Sequence, residues 1–91
     1  MNTVHIQETF GAILGMDQMC NGTIPENLTI GDVLLLQREN LEITVTVAAL
    51  QAQETEDGQL SELTGIGLRG PEAHLIRPGD SLAVVVADGC V

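Results

Sequence analysis

The chain reads Leu28-Thr29-Ile30-Gly31-Asp32-Val33-Leu34-Leu35-Leu36 over residues 28–36, and a looser version returns as Ile76-Arg77-Pro78-Gly79-Asp80-Ser81-Leu82-Ala83-Val84-Val85-Val86. In both copies an apolar residue precedes Gly-Asp and an apolar run follows it. Glycine adopts a positive φ at tight turns, and an aspartate side chain accepts hydrogen bonds from nearby backbone. We therefore predict that both Gly-Asp pairs form turns that lead into core strands. For Asp32 and Asp80 this structural role is favoured over a functional one.

Apolar residues elsewhere recur mostly with a period of two, which is typical of strands. The alternating sets are Val4, Ile6 and Phe10 near the start of the chain, and Ile43, Val45 and Val47 in its middle. Residues 33–36 and 82–87 are apolar throughout, which predicts strands buried on both faces or nearly so.

Turn-forming residues separate these segments at short intervals, and short strands spaced in this way predict an all-β sandwich or barrel. The 91 residues suffice for a single domain, 1–91. Only Pro71–Ile76 is expected to form a helical turn. Residues Gln51–Leu63 are expected to form a solvated acidic loop. Its acids are Glu54, Glu56, Asp57 and Glu62.

The charge balance excludes several classes of function. The net charge is −10, lysine is absent, and the basic residues are Arg38, Arg69 and Arg77. A chain-wide basic surface for nucleic acid is therefore excluded, as is a Walker-type nucleotide site, which needs a lysine. Phe10 is the only aromatic residue, so the chain offers no platform for stacking bases. An acidic surface instead attracts basic partners, with improved solubility as the competing explanation.

No motif predicts catalysis, a metal site or a cofactor. His5 and His74 lack Cys/His partners at ligand spacing, and neither Ser61 nor Ser81 lies in a nucleophile elbow. Cys20 and Cys90 are interpreted as a buried apolar residue and a C-terminal thiol, with a disulfide and a metal or redox role as alternatives. Loose calcium binding by the acidic loop is another alternative. The chain is predicted not to be an enzyme.

The predicted location is the cytoplasm. The N-terminal residues lack the basic and apolar regions of a signal peptide. The longest apolar run, 82–87, is far shorter than the roughly 20 residues of a membrane helix.

Five stretches, taken in order, resemble the second, β-barrel domain of translational GTPases of the elongation factor Tu type. They are Val4-His5-Ile6-Gln7-Glu8-Thr9-Phe10, Asn21-Gly22-Thr23-Ile24, residues 28–36, Gly65-Ile66-Gly67-Leu68-Arg69-Gly70 and Ile76-Arg77-Pro78-Gly79-Asp80. The resemblance implies a small closed, Greek-key-like barrel of six or more antiparallel strands. It also implies a binding platform without chemistry of its own, which in the family packs on a GTPase domain and faces the transfer-RNA end or the small ribosomal subunit.

The chain departs from the family at functional positions. Its 91 residues do not match the family's GTPase domain, so the resemblance does not carry GTP hydrolysis over to them. Ala49 stands where elongation factor Tu has an acidic residue that helps hold the terminal adenosine, while Arg69 matches the family's Leu-Arg-Gly position. These departures indicate a shared scaffold with an altered surface.

We therefore expect a non-catalytic protein-interaction or regulatory module that binds another protein with a basic surface, for which the translation apparatus or a separate GTPase domain are candidates. The expected binding residues are Leu68, Arg69, Gly70 and Arg77, together with the acidic loop. The competing expectation for the two arginines is a structural ion pair with Glu72 or Asp80. RNA or ribosome binding retained from the family is the alternative function, disfavoured by charge, and a homodimer formed through an unpaired strand is left open.

Overall fold

A computed structural model describes residues 3–13, 15–54 and 56–85. Its strands are β1 (Thr3–Ile13), β2 (Met16–Thr23), β3 (Val33–Arg38), β4 (Leu41–Glu54), β5 (Leu60–Arg69) and β6 (Ser81–Val85). They form a closed antiparallel barrel in the order β1-β2-β5-β4-β3-β6. The predicted all-β closed barrel is confirmed. The helical turn is a single 3-10 turn, Ala73–Leu75. In the described part of the chain, no helix has the length and apolar character needed to cross a bilayer.

The core is the inside of the barrel, and almost all of it is aliphatic. In the first part of β1 and in β4 up to Val47, alternate residues point inward and are buried while their neighbours are more exposed. In β2 and β5, consecutive residues are buried over 20–22 and 65–68. The buried apolar residues of the strands are Val4, Ile6, Cys20, Leu34, Leu36, Ile43, Val45, Val47, Ile66, Leu68 and Leu82, and Leu28, Ala73 and Ile76 join them from the connections.

The two Gly-Asp pairs form equivalent turns. Gly31 N–H donates to the Val47 carbonyl at 2.8 Å, and Val47 N–H donates to the Asp32 carbonyl at 2.9 Å. In the second copy Gly79 N–H donates to the Ile6 carbonyl at 2.8 Å, and Ile6 N–H donates to the Asp80 carbonyl at 2.9 Å. Both glycines have a positive φ, +100° and +93°. The prediction that these pairs begin core strands is confirmed.

The side chains of Asp32 and Asp80 make the same kind of hydrogen bond in their two turns. Asp32 Oδ2 accepts the backbone N–H of Thr29 at 2.9 Å, and Asp80 Oδ2 accepts that of Arg77 at 2.8 Å. Each carboxylate therefore closes its own turn by binding backbone three residues earlier.

The pairing of the strands shows that the two halves of the barrel are similar beyond the Gly-Asp turns. Where β2 meets β5, the pairs Gln18↔Leu68 and Gly22↔Thr64 lie on either side of Cys20↔Ile66. On the opposite wall, β3 pairs with β6 from Val33↔Val85 to Leu35↔Ala83. In the strand order of the barrel, β1, β2 and β3 are repeated as β4, β5 and β6, which gives the fold an approximate two-fold symmetry.

Two long hairpins project beyond the barrel wall, and we call them the β1–β2 arm and the β4–β5 arm. Each begins at an irregularity in pairing, between Ile6 and Glu8 in β1 and between Val47 and Ala49 in β4. An extra residue at such a point bends the strand and strengthens its twist. With these arms the molecule measures 43 × 28 × 25 Å.

The β4–β5 arm corrects the prediction of a loop over Gln51–Leu63. Strand β4 continues to Glu54 and β5 begins at Leu60, which leaves a turn around residues 56–59. The alternation of small, apolar and amide residues along this segment was too weak to indicate strands. Pairing between the two strands supplies the order that the local sequence does not.

Two predicted burial patterns are also corrected. Phe10 is 53% exposed and does not continue the buried face of Val4 and Ile6, because the pairing irregularity after Ile6 changes the phase and the arm leaves the barrel. In β6, Leu82 is buried but Ala83 and Val85 are exposed. At β6 the outer face of the barrel is exposed, so a continuous apolar run is buried there on one face only. Residues 86 and 87 of the predicted run lie outside the described residues.

The side chain of Gln18 is a polar element of the core. Its Oε1 accepts the Gly11 N–H at 2.8 Å, and its Nε2 donates to the carbonyls of Ala73 and Ile76, each at 3.4 Å. Gln18 thus joins the β1–β2 arm to the 3-10 turn. These bonds satisfy both ends of a buried amide, which would otherwise be costly to desolvate.

Cys20 is a free, fully buried thiol at the centre of the β2–β5 pairing. Its Sγ donates to the Ile66 carbonyl at 3.5 Å. Burial raises the pKa of this thiol from 9.0 to about 12, because the barrel interior disfavours the charged thiolate. This agrees with the interpretation of Cys20 as a buried apolar residue; Cys90 lies outside the described residues.

We expect the stability of the protein to fall above pH 9. The unfolded chain loses the Cys20 proton near pH 9.0, whereas the folded state retains it up to about pH 12. The free energy of unfolding therefore declines across this window, with a limiting slope of about 1.4 kcal/mol per pH unit. The chain has neither lysine nor tyrosine, so few other groups titrate there.

Urea unfolding of wild type and Cys20→Ala at about pH 8 and about pH 10 measures this effect, and the wild type is expected to lose about 1 kcal/mol more than the variant. Equal losses in the two proteins would contradict the assignment to Cys20.

Candidate interaction surface

The residues predicted to bind a partner fall into two groups. Leu68 is fully buried in the barrel core, so any contact at this strand end is left to its neighbours. Arg69 follows it at the end of β5 and is exposed, as is Arg77 in the turn before β6. Within the described residues, neither arginine side chain has a recorded hydrogen-bond or ion-pair partner.

Gly70 is held by its backbone. Its N–H donates to Asp17 Oδ2 at 2.7 Å, which fastens the end of β5 to the start of β2, near the tip of the β1–β2 arm. A Cβ at this position would lie 3.1 Å from the Thr44 carbonyl oxygen and 3.2 Å from a Val45 methyl group. The close packing of Gly70 against β4 leaves little space for a side chain at this position.

The expected ion pair is formed by a different arginine. Arg38 Nη2, at the end of β3, pairs with Asp80 Oδ2, and Arg77 contributes only its backbone N–H to that carboxylate. Arg38 also donates to the Leu75 carbonyl at 3.2 Å. The expectation that Arg69 or Arg77 pairs with Glu72 or Asp80 is therefore wrong. No sequence pattern links Arg38 to Asp80, because closure of the barrel alone brings β3 beside the turn that precedes β6.

Apolar atoms occupy the surface around Ala49. Ala49 pairs with Gly67 of β5. A Cβ on Gly67 would lie 3.0 Å from the Met16 sulfur and 3.1 Å from Ala49 Cβ. Ala49 thus brings no polar group to this part of the surface, which is bordered by a thioether.

The β4–β5 arm concentrates unbalanced negative charge. Glu56, Asp57 and Glu62 are exposed on it, and the side chain of Glu54 lies outside the described part of the structure. From residue 39 to residue 68 the sequence contains no lysine or arginine. Since like charges on a hairpin repel one another, a cationic partner would relieve this repulsion.

His5 and Ser81 form a contact that sequence spacing did not reveal. His5 Nδ1 lies 2.8 Å from Ser81 Oγ across the β1–β6 pair. A serine beside a histidine is the start of a nucleophile–base pair, but both residues are exposed, and among the described residues no third group bonds to the imidazole. The arrangement is that of a cross-strand surface hydrogen bond. The Ser61 side chain lies outside the described residues.

The remaining candidate features are few. Among the described residues, no group of three or more His, Cys, Asp and Glu side chains is arranged to hold a metal ion. A shallow, open depression lies at the β3–β4 hairpin and is lined by Gln37–Glu42. In comparisons with protein-family models, curated proteins and solved structures, this chain matched none.

Proposed function

We propose that this barrel is a non-catalytic protein-interaction module, of the kind found as the second domain of translational GTPases, which binds a basic surface of another protein. The observation that carries the proposal is the separation of charge on the molecule. The β4–β5 arm presents Glu56, Asp57 and Glu62 without a neighbouring cation in sequence, on a chain with net charge −10.

The barrel interior supports binding at the surface rather than chemistry within. Most of its buried residues are aliphatic, with Cys20 beside them. Of the two buried polar side chains, Gln18 is fully engaged with backbone groups, and the Asn21 amide donates to Glu8 Oε1 at 3.1 Å while its oxygen has no partner among the described residues. A core of this kind gives a rigid scaffold, and rigid scaffolds commonly carry their binding groups on projecting loops and hairpins.

Charge also favours a protein over RNA as the partner. Arg69 and Arg77 are exposed, but two cations on a chain of net charge −10 supply few phosphate contacts. Complementary charge across an interface mainly raises the association rate and suppresses wrong partners. We therefore assign the principal contact to the acidic arm and a secondary one to the strand end at Arg69.

Capture of partners from cell lysate, with and without ribonuclease, tests the proposal when two matched variants are included. The arm variant carries Glu56→Gln, Asp57→Asn and Glu62→Gln. The control variant carries Glu26→Gln, Glu39→Gln and Glu72→Gln, which removes the same charge from exposed acids elsewhere. A ribonuclease-resistant protein partner should be retained by wild type and control, and reduced about tenfold or more on the arm variant.

Two results would contradict the proposal. Binding that vanishes with ribonuclease would make RNA the partner. Equal loss in both triple variants would show a non-specific response to net charge.

A further inference from the structure

Strand β4 has a neighbour on both sides only up to Val47. Thr46 pairs with Val33 of β3, and Val47 bonds to Gly31 and Asp32. Beyond that point β4 pairs with β5 alone, from Ala49↔Gly67 to Ala52↔Thr64. In the described part of the chain, no backbone group pairs with the other edge of residues 49–52. We call these residues the open edge.

The open edge is regularly paired along its four residues. Its four successive pairs with β5 lie between the irregularities at Val47/Ala49 and Ala52/Glu54. Residues 48–52 contain neither proline nor a charged side chain. Strand edges in natural proteins are normally guarded by lysine, proline, bulges or covering segments. A regular, uncharged edge is the geometry that accepts an added strand.

The equivalent edge of the β1–β2 arm is less suitable. Its pairing with β2 is interrupted three times between Ile6 and Ile13. One of its backbone donors, Gly11 N–H, is already bound to Gln18 Oε1. Irregular pairing and a satisfied donor both oppose strand addition, so the approximate two-fold symmetry does not extend to this property.

Charge selects the occupant of the open edge. The exposed acids Glu56, Asp57 and Glu62 lie just beyond it on the same arm. A second copy of this chain would bring the same acids to the contact and be repelled, whereas an extended basic segment would be attracted.

We infer that residues 49–52 of β4 bind an extended, arginine- or lysine-rich segment of a partner protein as an added β-strand. The inference rests on the proposed function and specifies its binding mode. Backbone hydrogen bonds to the open edge hold the segment, and its cations face the acids of the β4–β5 arm.

Defined peptides test this mode on the full chain. The probe is a capped decapeptide of alternating arginine and threonine, compared with the same peptide N-methylated at alternate backbone positions. Methylation removes backbone donors and leaves the charge unchanged. At low salt we expect the methylated peptide to bind at least about tenfold more weakly, since it lacks several backbone hydrogen bonds. Hydrogen exchange at Ala49–Ala52 should slow by about tenfold in the parent complex only.

A pair of lysine substitutions locates the contact. Ala52→Lys places a cation on the open edge, and Ala12→Lys makes the same charge change at an exposed position of the other arm. We expect Ala52→Lys to lower the affinity for the parent peptide about fivefold, whereas the affinity of Ala12→Lys should stay within about twofold of wild type.

The outcomes separate the binding mode from the function. Equal affinity of both peptides, or protection outside residues 49–52, overturns strand addition while leaving an acidic interaction module in place. Failure of the parent peptide to bind at low salt also overturns the inference. The proposed function is then tested only by the capture of partners from lysate. Protection of Ala49–Ala52 that rises with protein concentration without peptide would assign the edge to a second copy.

Discussion

Replacing Gly22 with alanine is expected to destabilise the barrel by about 3–4 kcal/mol, a large part of the stability of a domain of this size. Gly22 pairs with Ile6 where β1 passes directly over β2. An added Cβ would overlap the carbonyl oxygen of His5 and lie 2.9 Å from its carbonyl carbon. The obstacle is backbone, so it cannot be relieved by rotating a side chain.

Movement of β1 away from Gly22 would also disturb its pairing with β6. The same stretch of β1 bonds to the second Gly-Asp turn through Ile6. The cost therefore includes displaced backbone hydrogen bonds as well as steric overlap.

Urea unfolding followed by far-ultraviolet circular dichroism measures the loss, since the chain contains no tryptophan or tyrosine. Gly58→Ala is the control. Gly58 also lacks a side chain but has φ +79° and open space around its Cβ position. It should cost only the backbone strain, about 1 kcal/mol. A Gly22→Ala protein within 1 kcal/mol of wild type would show that β1 can shift without penalty, contrary to the close approach described.

The second large effect is expected at Asp80, and the internal repeat supplies its control. Asp32 and Asp80 both accept a backbone N–H three residues earlier, but only Asp80 also pairs with Arg38. Asp32→Ala removes a turn hydrogen bond and should cost about 1 kcal/mol. Asp80→Ala removes the same bond and leaves a partly buried guanidinium without its counter-ion, for a cost of about 3 kcal/mol.

The difference between the two losses measures the ion pair within a shared backbone setting. The Arg38 and Asp80 side chains are 28% and 16% exposed, so their attraction is only partly screened by solvent. A double-mutant cycle with Arg38→Met tests the assignment directly. Equal losses for Asp32→Ala and Asp80→Ala would mean that the Arg38 contact adds no stability.

Local sequence was sufficient where a residue's own chemistry decided the conformation. Both Gly-Asp turns could be predicted because glycine readily adopts a positive φ and the aspartate side chain accepts a backbone hydrogen bond. Period-two alternation identified β4 up to Val47, because its side chains alternate between the core and solvent. The predicted loop over Gln51–Leu63 was wrong for the opposite reason. Its strands carry little alternation and are ordered by pairing with each other.

The candidate interaction surface was also predicted only in part from the sequence. Sequence alone established the net charge of −10, the acids of the β4–β5 arm and the isolated arginines. It did not show that Leu68 points into the core while Arg69 stays outside, since that depends on the register of β5 against both β2 and β4. The sequence likewise did not reveal the open edge of β4, because whether an edge is open depends on which strands pair with it in the folded barrel.

The sequence by itself therefore determined the strand-and-turn pattern, the duplicated Gly-Asp turns and the sign of the surface charge, all of which depend on residues close together in the chain. Tertiary structure alone decided the pairing of Arg38 with Asp80, the overlap that forbids a side chain at Gly22 and the open edge of β4. Each of these depends on how distant strands meet when the barrel closes. Closure sets strand order and register through long-range contacts, and these leave no regular spacing in the sequence.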